Sequence, residues 1–299
     1  MTTVAVLAHA GKSFGGGLPE LRRLLAKQGI ADPLWYEVGK SKEAPRFARK
    51  VRTKGAGLVF VWGGDGMVQR CVDELAGSDI PIAIVPAGTA NLLAHNLAIP
   101  QDIETAVRIG LHGGRRPLDV GSVNGERFAV MAGVGFDALM IRDAGGGLKD
   151  KAGQLAYVWT GAKHLRERPM RVRVRVDGAK WFKGDASCVL VGNVGRVIGG
   201  LPVFDGAQPD DGRLDVGLVT AKGLVEWART LGRTVVGQPG GSPFVQTITA
   251  AEVDIKLEDD MVYELDGGDR SATDRLKIRV EPASITVCVP EIVPEVVPS

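Results

Sequence analysis

Aromatic side chains make up only 5% of the 299 residues, and histidine and cysteine are rarer still, with four and three copies. Cys71, Cys188 and Cys288 lie far apart with no metal-ligand spacing, which argues against a disulfide framework and for a reduced compartment. His9, His95, His112 and His164 are equally scattered, and a zinc site is not expected. No Gly-x-Ser-x-Gly or comparable nucleophile signature occurs. No run approaches the roughly 18 apolar residues of a membrane span. The opening MTTVAVLAHA lacks the basic start and long apolar region of a signal peptide and reads as a first strand. Charge of one sign is also lacking: the net charge of +2 is too small for bulk nucleic-acid binding, so any electrostatic argument must rest on a local patch. Internal repeats and low-complexity linkers are missing too. The expectation is a cytoplasmic protein that binds no nucleic acid and touches a membrane only from outside, peripherally at its inner face.

Glycine, by contrast, is abundant at 41 residues, and hydrophobic residues reach 44%, enough to fill the cores of two ordinary domains. Residues 1–119 alternate β-branched runs with helical patterns. Strands are expected at 4–7, 34–38, 57–62 and 80–85, and helices at 18–28, 43–53, 67–75 and 90–97. Apolar strands alternating with helices predict a parallel sheet. After Asp119 short strands of period two take over, at 127–132, 171–176, 187–191, 214–219, 252–257, 277–280 and 285–289. Asp-Gly turns at Asp177, Asp211 and Asp266 punctuate them, as hairpins require. Two helices interrupt, at 153–165 and 224–231. The fold class is therefore an α/β N-terminal domain with a parallel sheet (1–119) plus a mostly antiparallel β C-terminal domain (120–299), whose last segment can pack back on the first domain.

Two glycine-rich turns carry the chemistry. Gly63-Gly64-Asp65-Gly66 follows a buried strand and opens a helix, where glycines let a ligand approach the backbone and the helix end offers N–H groups to phosphate. Asp65 would repel phosphate unless Mg²⁺ sits between them or the carboxylate orients a hydroxyl. The plainer reading is a tight turn with Asp65 as the cap of its own helix. Pro86-Ala87-Gly88-Thr89-Ala90-Asn91 occupies the same position after the next strand, with Thr89 and Asn91 as capping or donor groups. Both turns open on the carboxyl edge of a parallel sheet, where ligands bind in such folds.

GGDG, then PAGTAN, then VGFDA at 134–138, then the P-x-A…DG segment within 201–216 and Leu265-Asp266-Gly267, in that order over nearly the whole chain, resemble the diacylglycerol-kinase catalytic family. Its relatives include sphingosine and ceramide kinases and bacterial soluble lipid kinases, and the resemblance implies a two-domain fold shared with NAD kinases. It implies ATP as phosphate donor, Mg²⁺, and a lipid hydroxyl as acceptor. Gly63, Gly64, Asp65, Gly66, Met67, Val68 and Gln69 would form the nucleotide-phosphate loop, with Gly88, Thr89 and Asn91 on the facing loop. Lys12 matches a basic residue that neutralises phosphate charge. Asp211 matches a structural Mg²⁺ site, with the backbone carbonyls of Gln208 and Arg213. Asp266 matches the aspartate of the family's Asp-Gly-Glu motif, the base for the lipid hydroxyl. The motif's glutamate is Gly268 here, with Asp269 next along as its substitute. Met67 and Gln69 stand for the usual Thr and Asn, Ala8-His9 for an Asn-Pro, Val38 for a Thr and Leu92 for an Asp.

The densest basic stretch is 163–175, where Arg171, Arg173 and Arg175 alternate with valines and share one strand face. It reads either as a patch for anionic headgroups or as a solvated face. Leu155, Trp159 and Ala162 share one face of their helix, which packs into a core or walls a lipid pocket. Asp119 and Asp137 read as turn residues with a supporting role open. Partners are thus a lipid substrate and a transient membrane surface, with the oligomeric state open and a homodimer as one form. Two further readings stay beside the lipid kinase: an NAD-kinase-like enzyme with a soluble acceptor, and a nucleotide- or lipid-binding protein that has lost catalysis.

Overall fold

The structure, a computed structural model, describes residues 3–135, 169–196, 202–222, 226–227, 230 and 242–291. The sequence-based helices at 153–165 and most of 224–231, Asp137 and the end of VGFDA, and the first part of the basic stretch lie outside these residues. Two compact units are present: Met1–Leu118 with Ser284–Ser299, and Asp119–Ala283. The chain changes unit at Asp119. It changes back at Ser284, inside a strand that the sequence pattern splits in two.

In the first unit, β1 (Val4–His9), β2 (Leu34–Val38), β3 (Leu58–Gly63) and β4 (Ile82–Pro86) pair in the order β2–β1–β3–β4, all parallel. The last residues of β14 (Gly268–Val289) add a parallel partner beside β4, Val287 opposite Ile82. Every residue of β3 and β4 is buried, which explains their unbroken apolar runs. α1 (Gly17–Lys27) lies against α5 (Ile103–His112), and α2 (Ala44–Thr53) against α3 (Asp65–Leu75). α4 (Leu92–Asn96) is a single turn and a half, shorter than its sequence pattern, because Asn91 takes a left-handed conformation (φ 49°) that starts the helix late. α5 is absent from the sequence reading although its signals are present: Asp102 accepts the Thr105 N–H at 2.7 Å as N-cap, and Gly113 follows the end.

The second unit is a β-sandwich-like domain around a main core in which Val, Ile and Leu predominate, with a smaller cluster of Cys188, Val219, Ala221 and Trp227. β5 (Gly114–Val123) and β6 (Glu126–Phe128) form a hairpin over Asn124-Gly125, both at positive φ. Asn-Gly is the strongest short hairpin signal, and the sequence reading passed over it. β7 (Met131–Val134) follows after a break at Ala129-Val130. β8 (Met170–Val176) and β9 (Ala179–Ala186) turn over Asp177-Gly178, and β10 (Cys188–Gly192), β11 (Leu214–Val219) and β12 (Val245–Ala250) form one antiparallel series with β7. β13 (Glu252–Leu265) is longer than its pattern. Its first half pairs with β8 and its last three residues with β7, with register shifts between Lys256 and Tyr263 marking the change. β14 closes the hairpin over Asp266-Gly267, both at positive φ.

Candidate active site

The order β2–β1–β3 reverses direction at β1, so the carboxyl ends of β1 and β3 form the crevice where doubly wound sheets bind ligands. The loops after β1, β3 and β4 meet there. Lys12 lies in the first, and its carbonyl accepts the Trp62 indole N–H at 3.2 Å, one residue before Gly63. The second and third touch backbone to backbone. A Cβ on Gly88 would stand 2.4 Å from the Gly64 Cα, so neither loop tolerates a side chain without parting from the other. The Ala87 N–H donates to the Gly63 carbonyl at 2.9 Å. Asn91 holds both sides of Gly88: its Oδ1 accepts the Gly88 N–H and its Nδ2 donates to the Gly88 carbonyl, each at 2.9 Å.

Asp65 joins the two turns, and not as the cap of its own helix. The N-cap of α3 is Gly64, without a side-chain bond. The Asp65 carboxylate reaches the next βα unit, where Oδ1 accepts the Leu92 N–H at 2.5 Å. Burial pushes its pKa above the ordinary value, opposed by backbone N–H groups of Leu92, Asp65, Asn91 and Leu93. The start of α4 is thus capped from 27 residues upstream.

Gly66 differs from its neighbours. It is exposed, and a Cβ there would meet only the Ser41 Oγ, at 3.8 Å. The fold does not require a glycine at this position, whereas it does at Gly64 and Gly88. Thr89 is exposed beside it on the facing turn. Met67, Val68 and Gln69 are buried, and the amides of Met67 and Val68 already donate to the Gly64 carbonyl. The side chains of these three predicted phosphate-loop residues are buried, and two of their amides are already engaged in the first turn of α3.

In the second unit, Asp266 is buried, with 5% of its surface exposed. Oδ2 accepts the Ala129 N–H, and Oδ1 accepts those of Val130 and Met131, all at 2.9 Å. This explains why the expected strand 127–132 is two strands: the carboxylate takes the N–H groups at the break. Asp269 is exposed, opposite Glu264 in the same hairpin. Arg270 pairs with both oxygens of Glu126, at 2.6 and 2.8 Å.

Asp119, read as a turn residue, is instead a buried hub. Oδ2 accepts the Gly212 N–H at 2.6 Å, Oδ1 the Ala283 N–H at 2.8 Å, and its own N–H donates to the Pro209 carbonyl at 2.7 Å. Asn193 donates from Nδ2 to the carbonyls of Asp119 and Ala129, while its buried Oδ1 has no donor among the described residues. Neither residue carries a sequence signal of this role, since their partners lie far away along the chain.

Among the described residues no three acidic, His or Cys side chains cluster as a metal cage. Asp211 is exposed and accepts the Arg213 N–H at 2.9 Å, while the Arg213 guanidinium turns to Asp177 and the Thr249 carbonyl. Asp215, missed in the sequence, is pushed up to about 6 by burial and then by the negative charge of Asp211. Two carboxylates close enough for the charge of one to raise the pKa of the other are donors of the type a hard cation takes.

Comparison with known proteins agrees with this geometry. A model of the diacylglycerol kinase catalytic domain matches residues 4–123, and one of the YegS C-terminal NAD kinase beta sandwich-like domain matches residues 130–289. The diacylglycerol kinase of Bacillus subtilis (strain 168) is 31% identical over 233 residues, covering 75% of each chain. A crystal structure of a diacylglycerol kinase from Bacillus anthracis superposes with a TM-score of 0.74 at 21% identity, over 96% of both chains. An NAD kinase from Archaeoglobus fulgidus in complex with ATP reaches 0.53 at 11% identity, over 96% of this chain and 93% of that one, a likeness of fold alone. With two glycine turns in backbone contact at the switch point of a parallel sheet, and a β-sandwich-like second unit, the chain belongs to the diacylglycerol kinase family.

Proposed function

We propose that the protein is a Mg²⁺-dependent lipid kinase that transfers the γ-phosphate of ATP to the hydroxyl of a lipid such as diacylglycerol. The observation that carries this reading is the contact of Gly64 with Gly88 beside an exposed Gly66 that the fold does not need. Such a surface lets phosphate oxygens reach main-chain N–H groups at the start of α3, and Lys12 adds a positive charge on the neighbouring loop. The matched family and the diacylglycerol kinase of Bacillus subtilis support phosphoryl transfer to a lipid, and the ATP complex of the NAD kinase of like fold supports ATP as donor.

In the reaction the acceptor oxygen bonds to the γ-phosphorus as the bond to the ADP oxygen breaks. The hydroxyl proton passes to a carboxylate. Phosphoryl transfer needs little from this base, because proton loss comes late and positioning dominates. We assign the proton to the carboxylate of Asp266, whose oxygens accept the Ala129, Val130 and Met131 N–H groups. Those donors fix the direction of the carboxylate. Asp65 holds the phosphate turns together. Asp211 and Asp215, with the carbonyls of Gln208 and Arg213, would hold Mg²⁺, whose charge would let both carboxylates ionise. The lipid acceptor implies work at a membrane surface, consistent with described helices too short or too polar to cross one.

The test is ADP release by purified protein with Mg²⁺ and ATP over a panel of micellar lipids, for wild type, Asp266→Asn and Asp269→Asn. Folded fraction is measured in parallel. Lipid-dependent turnover, lost in Asp266→Asn beyond its loss of folded protein, is the expected result. Loss in Asp269→Asn alone would move the base there, to the stand-in for the family's missing glutamate. Phosphorylation of NAD with no lipid used would replace the reading by the soluble-acceptor one, and ATP binding without any turnover by a lapsed enzyme.

A further inference from the structure

The strands β9, β8, β13 and β14 lie side by side, and their pairing register places like charges directly opposite one another. Lys183 faces Arg173, Arg173 faces Lys256, and Lys256 faces Arg275, giving one row of four cations across four strands. The next row reads Lys180, Arg175, Asp254, Lys277. β8 alternates buried valines with exposed arginines, so the row stands on the outer face of this sheet. Like charges directly opposite destabilise a sheet, and folding alone would favour alternating signs. Asp254 is already taken by Arg275, at 2.7 and 2.8 Å. Arg173, Arg175, Lys180, Lys183, Lys256 and Lys277 have no carboxylate in ion-pairing range among the described residues. With a net charge of only +2 on the whole chain, this concentration is local. A groove of about 580 Å³ opens beside the second row, lined by Arg175, Lys277 and Arg279 but also by Glu252 and Asp254, so its charge is mixed and the uncompensated cations are those of the first row.

We propose that the outer face of the β9–β8–β13–β14 sheet docks the protein onto a bilayer of anionic phospholipid, through the cation row Lys183–Arg173–Lys256–Arg275. The choice of partner rests on the lipid-kinase reading, since an acceptor held in a bilayer must be met there. The chemistry of the face agrees. Trp181 and Phe182 of β9 pack partly buried against the core, and among the described residues no aromatic ring stands fully exposed on this face for a nucleic-acid base to stack on. Long cationic side chains on a sheet meet a plane of anionic headgroups without any such requirement.

The test is co-sedimentation of the full chain with vesicles of phosphatidylcholine alone or with added phosphatidylglycerol, without ATP. The wild type is compared with Arg173→Glu/Lys256→Glu and with Arg52→Glu/Lys54→Glu, which makes the same net charge change on exposed positions of the first unit. Wild type and the Arg52/Lys54 variant should bind the anionic vesicles only, and release them in about 0.5 M salt, where screening is nearly complete. The Arg173/Lys256 variant should bind at least about 25-fold more weakly, from roughly a factor of five for each of the two basic residues at the surface. If glutamates unfold it, Arg173→Gln/Lys256→Gln takes its place, with the same direction expected. Equal binding by wild type and the Arg173/Lys256 variant would overturn the proposal, as would equal loss in both variants. Binding of a single-stranded RNA but of no vesicle would overturn it in favour of nucleic acid. Failure of the kinase reading looks different: no phosphotransfer, with vesicle binding and its loss in the variant intact.

Discussion

Asp65 and Asp266 stand in the same local sequence, an aspartate beside glycine at the end of a strand, and both carboxylates take backbone N–H groups from a distant segment. Asp65 sits in a parallel α/β unit and caps the helix of the next βα repeat. Asp266 sits at the tip of an antiparallel hairpin and fills a break between β6 and β7. The difference lies in what surrounds them. Around Asp65, Gly66 and Thr89 are exposed and the turn faces outward. Around Asp266, three donors converge on a side chain almost wholly buried. One motif therefore marks an open surface and the other a locked framework with a carboxylate at its centre, and the letters Asp-Gly do not distinguish them.

The sharpest way to break this comparison is to neutralise both. Asp266→Asn replaces a charged acceptor by an amide that cannot receive all three donors, leaving at least one buried N–H unpaired. Charged hydrogen bonds contribute about 1.5–3 kcal/mol each and an orphaned buried donor costs a further 1–3. The variant should lose about 3 kcal/mol or more, read as a fall in urea midpoint at unchanged slope. A wild-type midpoint with activity gone would show that Asp266 serves the reaction alone and does not hold the fold.

Second comes Gly88→Ala. Its Cβ would lie 2.4 Å from the Gly64 Cα, a contact no rotamer relieves. Forcing the two turns apart should cost about 1–3 kcal/mol, the usual penalty of overpacking, and reduce ATP affinity with it. An unchanged midpoint would mean that the turns are not in contact in solution.

These positions also show how far the sequence could be read. The parallel pairing of the first four strands and the hairpins over Asp177 and Asp266 were legible, because hydrophobic period and turn chemistry are local, whereas the strand order β2–β1–β3–β4 was not. The two loops were legible as a pair for the same reason. What Asp65, Asp119 and Asn193 do was not, because each bonds to backbone groups 27 to 164 residues away, and no local pattern encodes such a partner. Asp215 escaped for a different reason: its raised pKa comes from burial and a neighbour's charge, both products of the fold. The roles of Met67, Val68 and Gln69 were assigned from the family pattern, and their burial shows that a matched position need not expose its side chain.

Third is Asp65→Asn, expected to cost about 1 kcal/mol, less than its counterpart, because burial already disfavours the charged form there. The sign with pH is opposite to that of an ordinary salt-bridged aspartate. A folded pKa raised above the unfolded one means that the folded state holds the proton more tightly. The stability this contributes is present in full below the unfolded value near 4 and is lost as pH rises through the folded value. The advantage of wild type over Asp65→Asn should therefore widen as pH falls from 7 toward 4, in paired melts. A gap that narrows on acidification would show that the four backbone donors outweigh burial and the carboxylate is held ionised.

The smallest expected change in stability is the one that separates fold from function. Gly66→Ala adds a methyl that meets only the Ser41 Oγ at 3.8 Å, at the second residue of α3, where the backbone is helical. Alanine is the better helix former by up to about 1 kcal/mol, and it restricts the unfolded chain. The variant should melt at the wild-type temperature or slightly above it. If the turn is a phosphate surface, the same methyl stands where an oxygen must approach the main chain, and ATP affinity should fall by about tenfold, or roughly 1.4 kcal/mol. Calorimetric titration with ATP reads this directly, against a melting curve of the same sample. Gly88→Ala would lose both stability and nucleotide, Gly66→Ala nucleotide alone, and that split is what an open turn predicts. If Gly66→Ala binds ATP as wild type does, the exposed glycine is not a ligand surface, and Asp65 and Asp266 both become parts of a framework whose nucleotide lies elsewhere.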